Sequence, residues 1–260
     1  MKSIAARCAV AVLLAVLSVL AGGAPAGGSA RLATSDGWDI SYPQCGVAPP
    51  GDGGTGVVGA TAGRPFSTNY CLAAQFEWAS RKAQPPHLYM NTSNPENHSA
   101  YWTLRAGTGP RACAGPNLDD PANLDCAYNF GWNNARDAVA GARELIGGAA
   151  FTHAWWLDVE TANSWNGTPE ANAQDVQGTL DFLGSLHVPA TGIYSTGYQW
   201  AEITGGYHPP PGAAAAGNWV AGATTRKQAR AWCSADHAFS GGTVRMVQWV
   251  NGDFDANEVC

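Results

Sequence analysis

The residues best equipped for chemistry in this chain are the last ones of Trp155-Trp156-Leu157-Asp158-Val159-Glu160. The apolar start predicts a short buried strand over 155–160, and its end carries two carboxylates. Strand side chains alternate between faces, so Asp158 and Glu160 share one face and Leu157 and Val159 the other. Two residues of strand hold the acids about 6.6 Å apart, close enough for like charge to raise a pKa. A carboxyl kept protonated near neutrality can donate a proton, and a carboxylate beside it can steer the reacting group. Paired acids of this kind serve glycosidic bond cleavage, and the flat apolar face and N–H of nearby Trp suit a sugar ring. Glu160 is the member expected to carry the raised pKa. The plainer alternative is a pair of solvated acids in a loop after a core strand.

Such a pair needs a scaffold. Short strands are predicted at 37–41, 55–61, 87–91, 155–160, 191–195, 218–221 and 245–250. Periodicity and capping predict helices from Ser67-Thr68-Asn69 to Lys82, over 128–145, 169–186 and 199–203, and around 227–232. Strands alternating with helices imply parallel pairing through right-handed crossovers. The predicted fold class is α/β, a single irregular TIM-like (β/α) barrel. An open flavodoxin-like sheet is the rival, but no Gly-rich phosphate loop opens a helix. Barrel sites gather at the C-terminal strand ends, and Asp39, Asp158, Glu160 and Asp255 fall at or just beyond such ends. The stretch 92–127, rich in Pro, Gly, Asn and Asp, is longer than an ordinary connection and reads as a functional excursion.

The N-terminus reads as a targeting segment. Lys2 and Arg7 precede an apolar run over 9–20, and small residues follow through Ala30. This is a signal peptide over 1–30, with cleavage near 26–30, leaving a barrel domain over 31–260. The apolar run is too short to span a membrane, which takes roughly 20 residues. The expected location is therefore outside the cell. Cys8 leaves with the signal, and six cysteines remain. An even number in an exported chain reads as disulfides, of which the nearest-neighbour set is chosen: Cys45–Cys71, Cys113–Cys126 and Cys233–Cys260. Zinc spacing such as Cys-x-x-Cys is absent, so no metal and no cofactor are expected. With net charge −6, only 13% charged residues and no basic cluster, the chain is a poor partner for nucleic acid or an anionic membrane. A monomer is expected. No Gly-x-Ser-x-Gly elbow is present for a serine hydrolase. His153 is the histidine nearest the acids in sequence and reads more simply as a strand-start residue.

Asp39-Ile40-Ser41 with Gln44, Asp158-Val159-Glu160, Gln248-Trp249 and Asp255-x-Asn257 stand in the order seen in glycoside hydrolase family 25, and the chain resembles that family from Gly37 to Asn257. The family comprises secreted lysozymes (muramidases) with a compact, irregular (β/α) barrel. The resemblance implies a glycosidase acting on peptidoglycan, with Glu160 as general acid and Asp158 orienting or polarising the substrate's N-acetyl group. Asp39 and Asp255 would tune the site or hold the sugar. Tyr194 and Trp219-Val220-Ala221 also look like family positions. Trp38, Trp102, Trp165 and Tyr194 are expected to stack on sugar, and Trp219 and Gln248 to contact it. The chain departs from the family at Gly59-Ala60-Thr61-Ala62-Gly63-Arg64, where the family carries a Lys-x-Thr-Glu-Gly segment. Two alternatives stay open: a catalytically inactive barrel that binds cell-wall glycan, and a glycosidase for another polysaccharide.

Overall fold

The structure, a computed structural model, describes residues 36–51, 54–96, 99–115, 118, 120, 123–210, 215–251 and 254–260. The signal peptide expected at 1–30 lies outside the described residues. Among the described residues, eight strands close into a barrel in sequence order: β1 (Asp36–Ile40), β2 (Gly56–Gly59), β3 (His87–Asn91), β4 (Ala154–Asp158), β5 (Thr191–Ser195), β6 (Ala215–Ala223), β7 (Thr243–Asn251) and β8 (Phe254–Val259). The helices are α1 (Leu72–Ser80), α2 (Trp102–Ala106), α3 (Leu124–Ile146), α4 (Ala149–Thr152), α5 (Pro169–Ser185), α6 (Gly197–Thr204) and α7 (Arg226–Trp232). Among the described residues, no helix is long and apolar enough to cross a membrane.

The irregularity of the barrel is specific. Among the described residues between β1 and β2, the one helical element is a 3₁₀ turn at Tyr42–Gln44. From β1 to β7 the neighbouring strands pair in parallel, as expected, but β8 runs antiparallel to both β7 and β1. The sequence reading had no strand there. The reason is length: a parallel return needs a crossover of a dozen or more residues, and only two residues separate Asn251 from Phe254. The Asn251-Gly252 dipeptide was the readable hairpin signal.

Alternation sorts the strand residues into two cores. Ile40, Val58, Leu88, Met90, Trp155, Leu157 and Ile193 face outward into the layer against the helices. Val57, Trp156, Trp219 and Met246 fill the barrel, with Tyr89 and Tyr194 packed against them. The two tryptophans at the start of β4 thus serve opposite faces. Room for Trp156 comes from Gly192 on the neighbouring strand, where an added Cβ would stand 2.2 Å from the indole ring.

The helix boundaries follow local chemistry. Thr168 caps α5 by accepting from Ala171 N, with Pro169 in the first turn. Asn123 caps α3 by accepting from Cys126 N, so α3 begins at Leu124, one turn earlier than its apolar periodicity indicated. The excursion between β3 and α3 has a small core of its own, built on Trp102, Ala106, Cys113, Cys126 and Phe130. All three disulfides pair as expected: Cys45–Cys71, Cys113–Cys126 and Cys233–Cys260.

One buried charge has no evident structural use. Asp175 on α5 is fully buried, and neither carboxylate oxygen has a hydrogen-bond partner. Burial holds its pKa well above the ordinary carboxylate range. In the unfolded chain Asp175 ionises near pH 4, while in the folded protein it holds its proton to higher pH, so stability falls as pH rises from the unfolded toward the folded pKa. Asp175→Asn is therefore expected to gain stability on the parent at pH 7 relative to pH 4. Thermal unfolding of both proteins at the two pH values measures this, and a constant difference would refute it.

Candidate active site

The acids meet at the mouth of the barrel. Asp39 on β1 and Asp158 at the end of β4 face inward, Glu160 follows two residues later, and Asp255 opens β8 opposite Asp39 in the register. Asp255 reaches this end only because β8 is antiparallel, which sets its first residues beside the C-terminal ends of β7 and β1.

Two networks hold the cluster. Around Asp39, Asn257 Nδ2 donates to Oδ2 at 2.7 Å, and Gln248 Nε2 donates to both oxygens at 3.1 and 3.2 Å. Each amide is turned this way by a group that donates to its oxygen, and the indole N–H of Trp219 can do nothing else. Trp219 Nε1 donates to Asn257 Oδ1 and the Tyr194 hydroxyl to Gln248 Oε1, each at 2.7 Å. The N–H sides are then left for Asp39. Burial still dominates: it pushes Asp39 up to about 7, aided by the charge of Asp255 and opposed by the Asn257 and Gln248 donors.

Around Asp158, Asn91 Nδ2 donates to Oδ2. Asn91 is itself fixed by Thr61, whose hydroxyl donates to its Oδ1 at 2.8 Å and accepts from its backbone N–H at 3.0 Å. Burial, followed by the charge of Glu160, holds Asp158 well above the usual carboxylate range. Glu160 is less buried. Its pKa is also raised, by burial first, with hydrogen bonds from Asp158 and Gln199 pulling it back. Gln199 sits in the first turn of α6 and accepts from Thr161 N at 2.6 Å and Thr161 Oγ1 at 3.0 Å. Its amide N–H groups are thereby free to face Glu160. The backbone of Glu160 is pinned by Trp165 Nε1, which donates to its carbonyl at 2.8 Å.

The pair therefore differs from the expectation in one respect. Glu160 was expected to be the raised member, yet both are raised, and Asp158 more strongly. Depth is the cause: Asp158 is 7% exposed at the end of a strand, whereas Glu160 stands clear of it in the following turn. Two carboxyls in contact titrate as a unit, and this unit holds its proton to higher pH than a free carboxyl does. Glu160 is the member placed to pass it outward.

The other expected residues divide. Tyr194 and Gln248 belong to the site. Trp165 lines a small cleft of about 210 Å³ next to the Glu160 backbone, together with Thr161, Asn163, Pro169, Asn172 and Glu202. Trp38 is a correction: with Asp39 pointing in, strand alternation turns Trp38 out against the helical layer. Trp102 is another. It is 2% exposed in the core of the excursion, its N–H donating to Leu118 O. Trp219 is fully enclosed in the barrel and holds Asn257, so it presents no face to a ligand. His153 lies at the opposite end of β4, bonded to Ala149 O, as its plainer reading required. The reading of the sequence missed Thr61, Asn91 and Gln199. The readable signal was position: Asn91 ends a strand, and Thr61 and Gln199 follow two others.

No protein-family model matches the chain, and no curated protein matches it in sequence. Solved structures do match in fold. The bacterial lysozyme from Streptomyces coelicolor is 16% identical, with 88% of this chain and 93% of that chain covered and a TM-score of 0.52. The muramidase from Trichobolus zukalii is 14% identical, with 86% and 93% covered and a TM-score of 0.51. The chain thus has the irregular barrel fold of these lysozymes, as its resemblance to glycoside hydrolase family 25 implied.

Proposed function

We propose that the protein is an exported glycoside hydrolase that cleaves the glycan strands of peptidoglycan as an N-acetylmuramidase. The observation that carries this is the coupled Asp158–Glu160 pair, raised in pKa and set at the mouth of a barrel shared with a lysozyme and a muramidase. Glu160 protonates the leaving glycosidic oxygen. Asp158, deeper and anchored by Asn91, orients the acetamide of the sugar, which attacks the anomeric carbon. Substrate-assisted hydrolysis of this kind is a recognised variant of two-carboxylate chemistry. Asp39 and Asp255 supply negative charge that keeps the proton in the cluster. Three disulfides fit an oxidising compartment and so support export through the N-terminal segment.

The test is chemical. The secreted protein is incubated with purified peptidoglycan, the products are reduced, and the new ends are identified by mass spectrometry. Muramitol ends are expected. Binding without new reducing ends would leave only the glycan-binding reading.

A pH profile probes the cluster separately. The charge of Asp255 raises both Asp39 and Glu160, so Asp255→Asn lowers both pKa values. The alkaline limb of the rate profile is expected to move to lower pH. An unmoved limb would show that Asp255 lies outside the proton-holding cluster.

A further inference from the structure

Among the described residues, the exposed aromatic side chains are tyrosines: Tyr42, Tyr70, Tyr101 and Tyr198. All four leave the C-terminal ends of strands, after β1, β2, β3 and β5, and so share the pole of the molecule that holds the acids. An exposed aromatic ring is a cost in water, and its grouping at one pole marks a contact surface.

Two of the four are joined by one loop. The ring of Tyr42 lies on the backbone of Gly63, where an added Cβ would meet it at 2.7 Å; Gly63 has φ +74, a conformation glycine adopts without strain. Three residues on, Phe66 is held at φ 54, which is strained for a bulky residue. Surroundings over-determine it: Phe66 stacks on Tyr101 at 5.8 Å, meets Phe130 edge-on at 5.0 Å and lies under Arg105 at 4.7 Å. The loop begins at Thr61, which anchors Asn91 and through it Asp158. It is the same stretch in which the chain departs from the Lys-x-Thr-Glu-Gly segment. Tyr42, at 41% exposure, and Tyr101, at 44%, thus pack against the two ends of one fixed loop that starts at the acid cluster, and the same loop carries the exposed Arg64.

We propose that the Tyr42–Tyr101 ledge is a glycan-docking surface that holds the polymer beyond the bonds being cut, favouring extended, insoluble peptidoglycan over short soluble fragments. This rests on the glycosidase reading above. Tyrosine suits the occupant, because its ring covers the apolar face of a sugar while its hydroxyl bonds to the sugar's own hydroxyls. Continuity with the acid cleft fixes the occupant as the same chain that is cleaved. The Arg64 guanidinium offers donors to carbonyl and carboxylate substituents on the sugars.

The test uses sedimentation with purified insoluble peptidoglycan, in a Glu160→Gln background so that the polymer is not consumed. Tyr42→Ala with Tyr101→Ala is expected to weaken retention roughly tenfold. Tyr42→Phe with Tyr101→Phe should retain most of the binding, since the faces remain. With Glu160 intact, the double alanine variant should cleave soluble glycan fragments at the parent rate and insoluble wall more slowly. Leu145→Ala, an exposed apolar residue at the opposite end of α3, should change nothing. Unchanged retention by the double alanine variant overturns the ledge and leaves the glycosidase reading standing. Equal loss on soluble and insoluble substrates, or a lowered melting temperature, assigns the tyrosines a structural part and overturns it as well. A parent protein that neither sediments with the wall nor cleaves it overturns both readings.

Discussion

Glu160→Gln is expected to reduce glycan cleavage by about 10²–10⁴-fold, the usual worth of a positioned general acid. Gln keeps the shape of the side chain and can still accept or donate hydrogen bonds, but it has no proton to give. The neighbours of Glu160 survive the change: Trp165 bonds to its backbone carbonyl and Gln199 to the Thr161 backbone, neither of which depends on the carboxyl. The loss should therefore fall on the rate of the chemical step, with retention on peptidoglycan close to that of the parent. Asp158 should also respond. Its pKa is raised by the charge of Glu160 after burial, so removing that charge lowers it, and the remaining activity should show a displaced acid limb. Steady-state rates on purified peptidoglycan across pH measure both effects. Parent-level cleavage by Glu160→Gln would be incompatible with the mechanism.

Cys233→Ser with Cys260→Ser is expected to cost about 3 kcal/mol of stability, the chain-entropy worth of a bond closing a loop of 27 residues. For a domain of this size that is a melting temperature lower by roughly 6–12 °C. The consequence goes beyond stability, because this bond holds the free end of β8. The outer face of β8 packs through Phe254 and Ala256 and is tied by Glu258, which is 2% exposed and paired with Arg226 and Arg230 of α7. Its inner face carries Asp255 and Asn257, the residues that set the charge and hydrogen bonding of Asp39. Loosening β8 should therefore reduce activity below the melting transition as well. The same replacement at Cys113 and Cys126 is the control. It closes only 13 residues, in an excursion with its own core, and should lower stability less while leaving the acids in place. Calorimetry and activity on the two variants separate the effects.

Much of the molecule is written in short-range pattern. The strands from β1 to β7 are legible because each is a brief apolar run punctuated by Gly, Pro or Asn, and period two decides which residues share a face. That pattern alone puts Asp158 and Glu160 together and Leu157 opposite. It also determines that Trp38 cannot share a face with Asp39, a consequence of alternation that outweighs nearness to the strand end. The disulfide pairing is legible because short closures between sequence neighbours lie within reach of adjacent connections.

What the sequence by itself determined, then, is the inventory: the barrel strands, the acids at their ends and the covalent ties. Tertiary structure decided which acid is the more strongly raised in pKa and which aromatic meets solvent. Both depend on depth, and depth is a property of the whole assembly. Asp158 outranks Glu160 because the end of β4 is covered by Asn91 and its neighbours, residues 67 and more positions away in the chain. Trp102 and Trp219 look like sugar platforms until the excursion and the barrel close over them, while the tyrosines at 42 and 101 look ordinary until one loop carries both to the rim. Antiparallel β8 completes the site for the same reason. Desolvation and charge coupling act through space, and only the closed barrel brings residue 39 beside residues 248, 255 and 257.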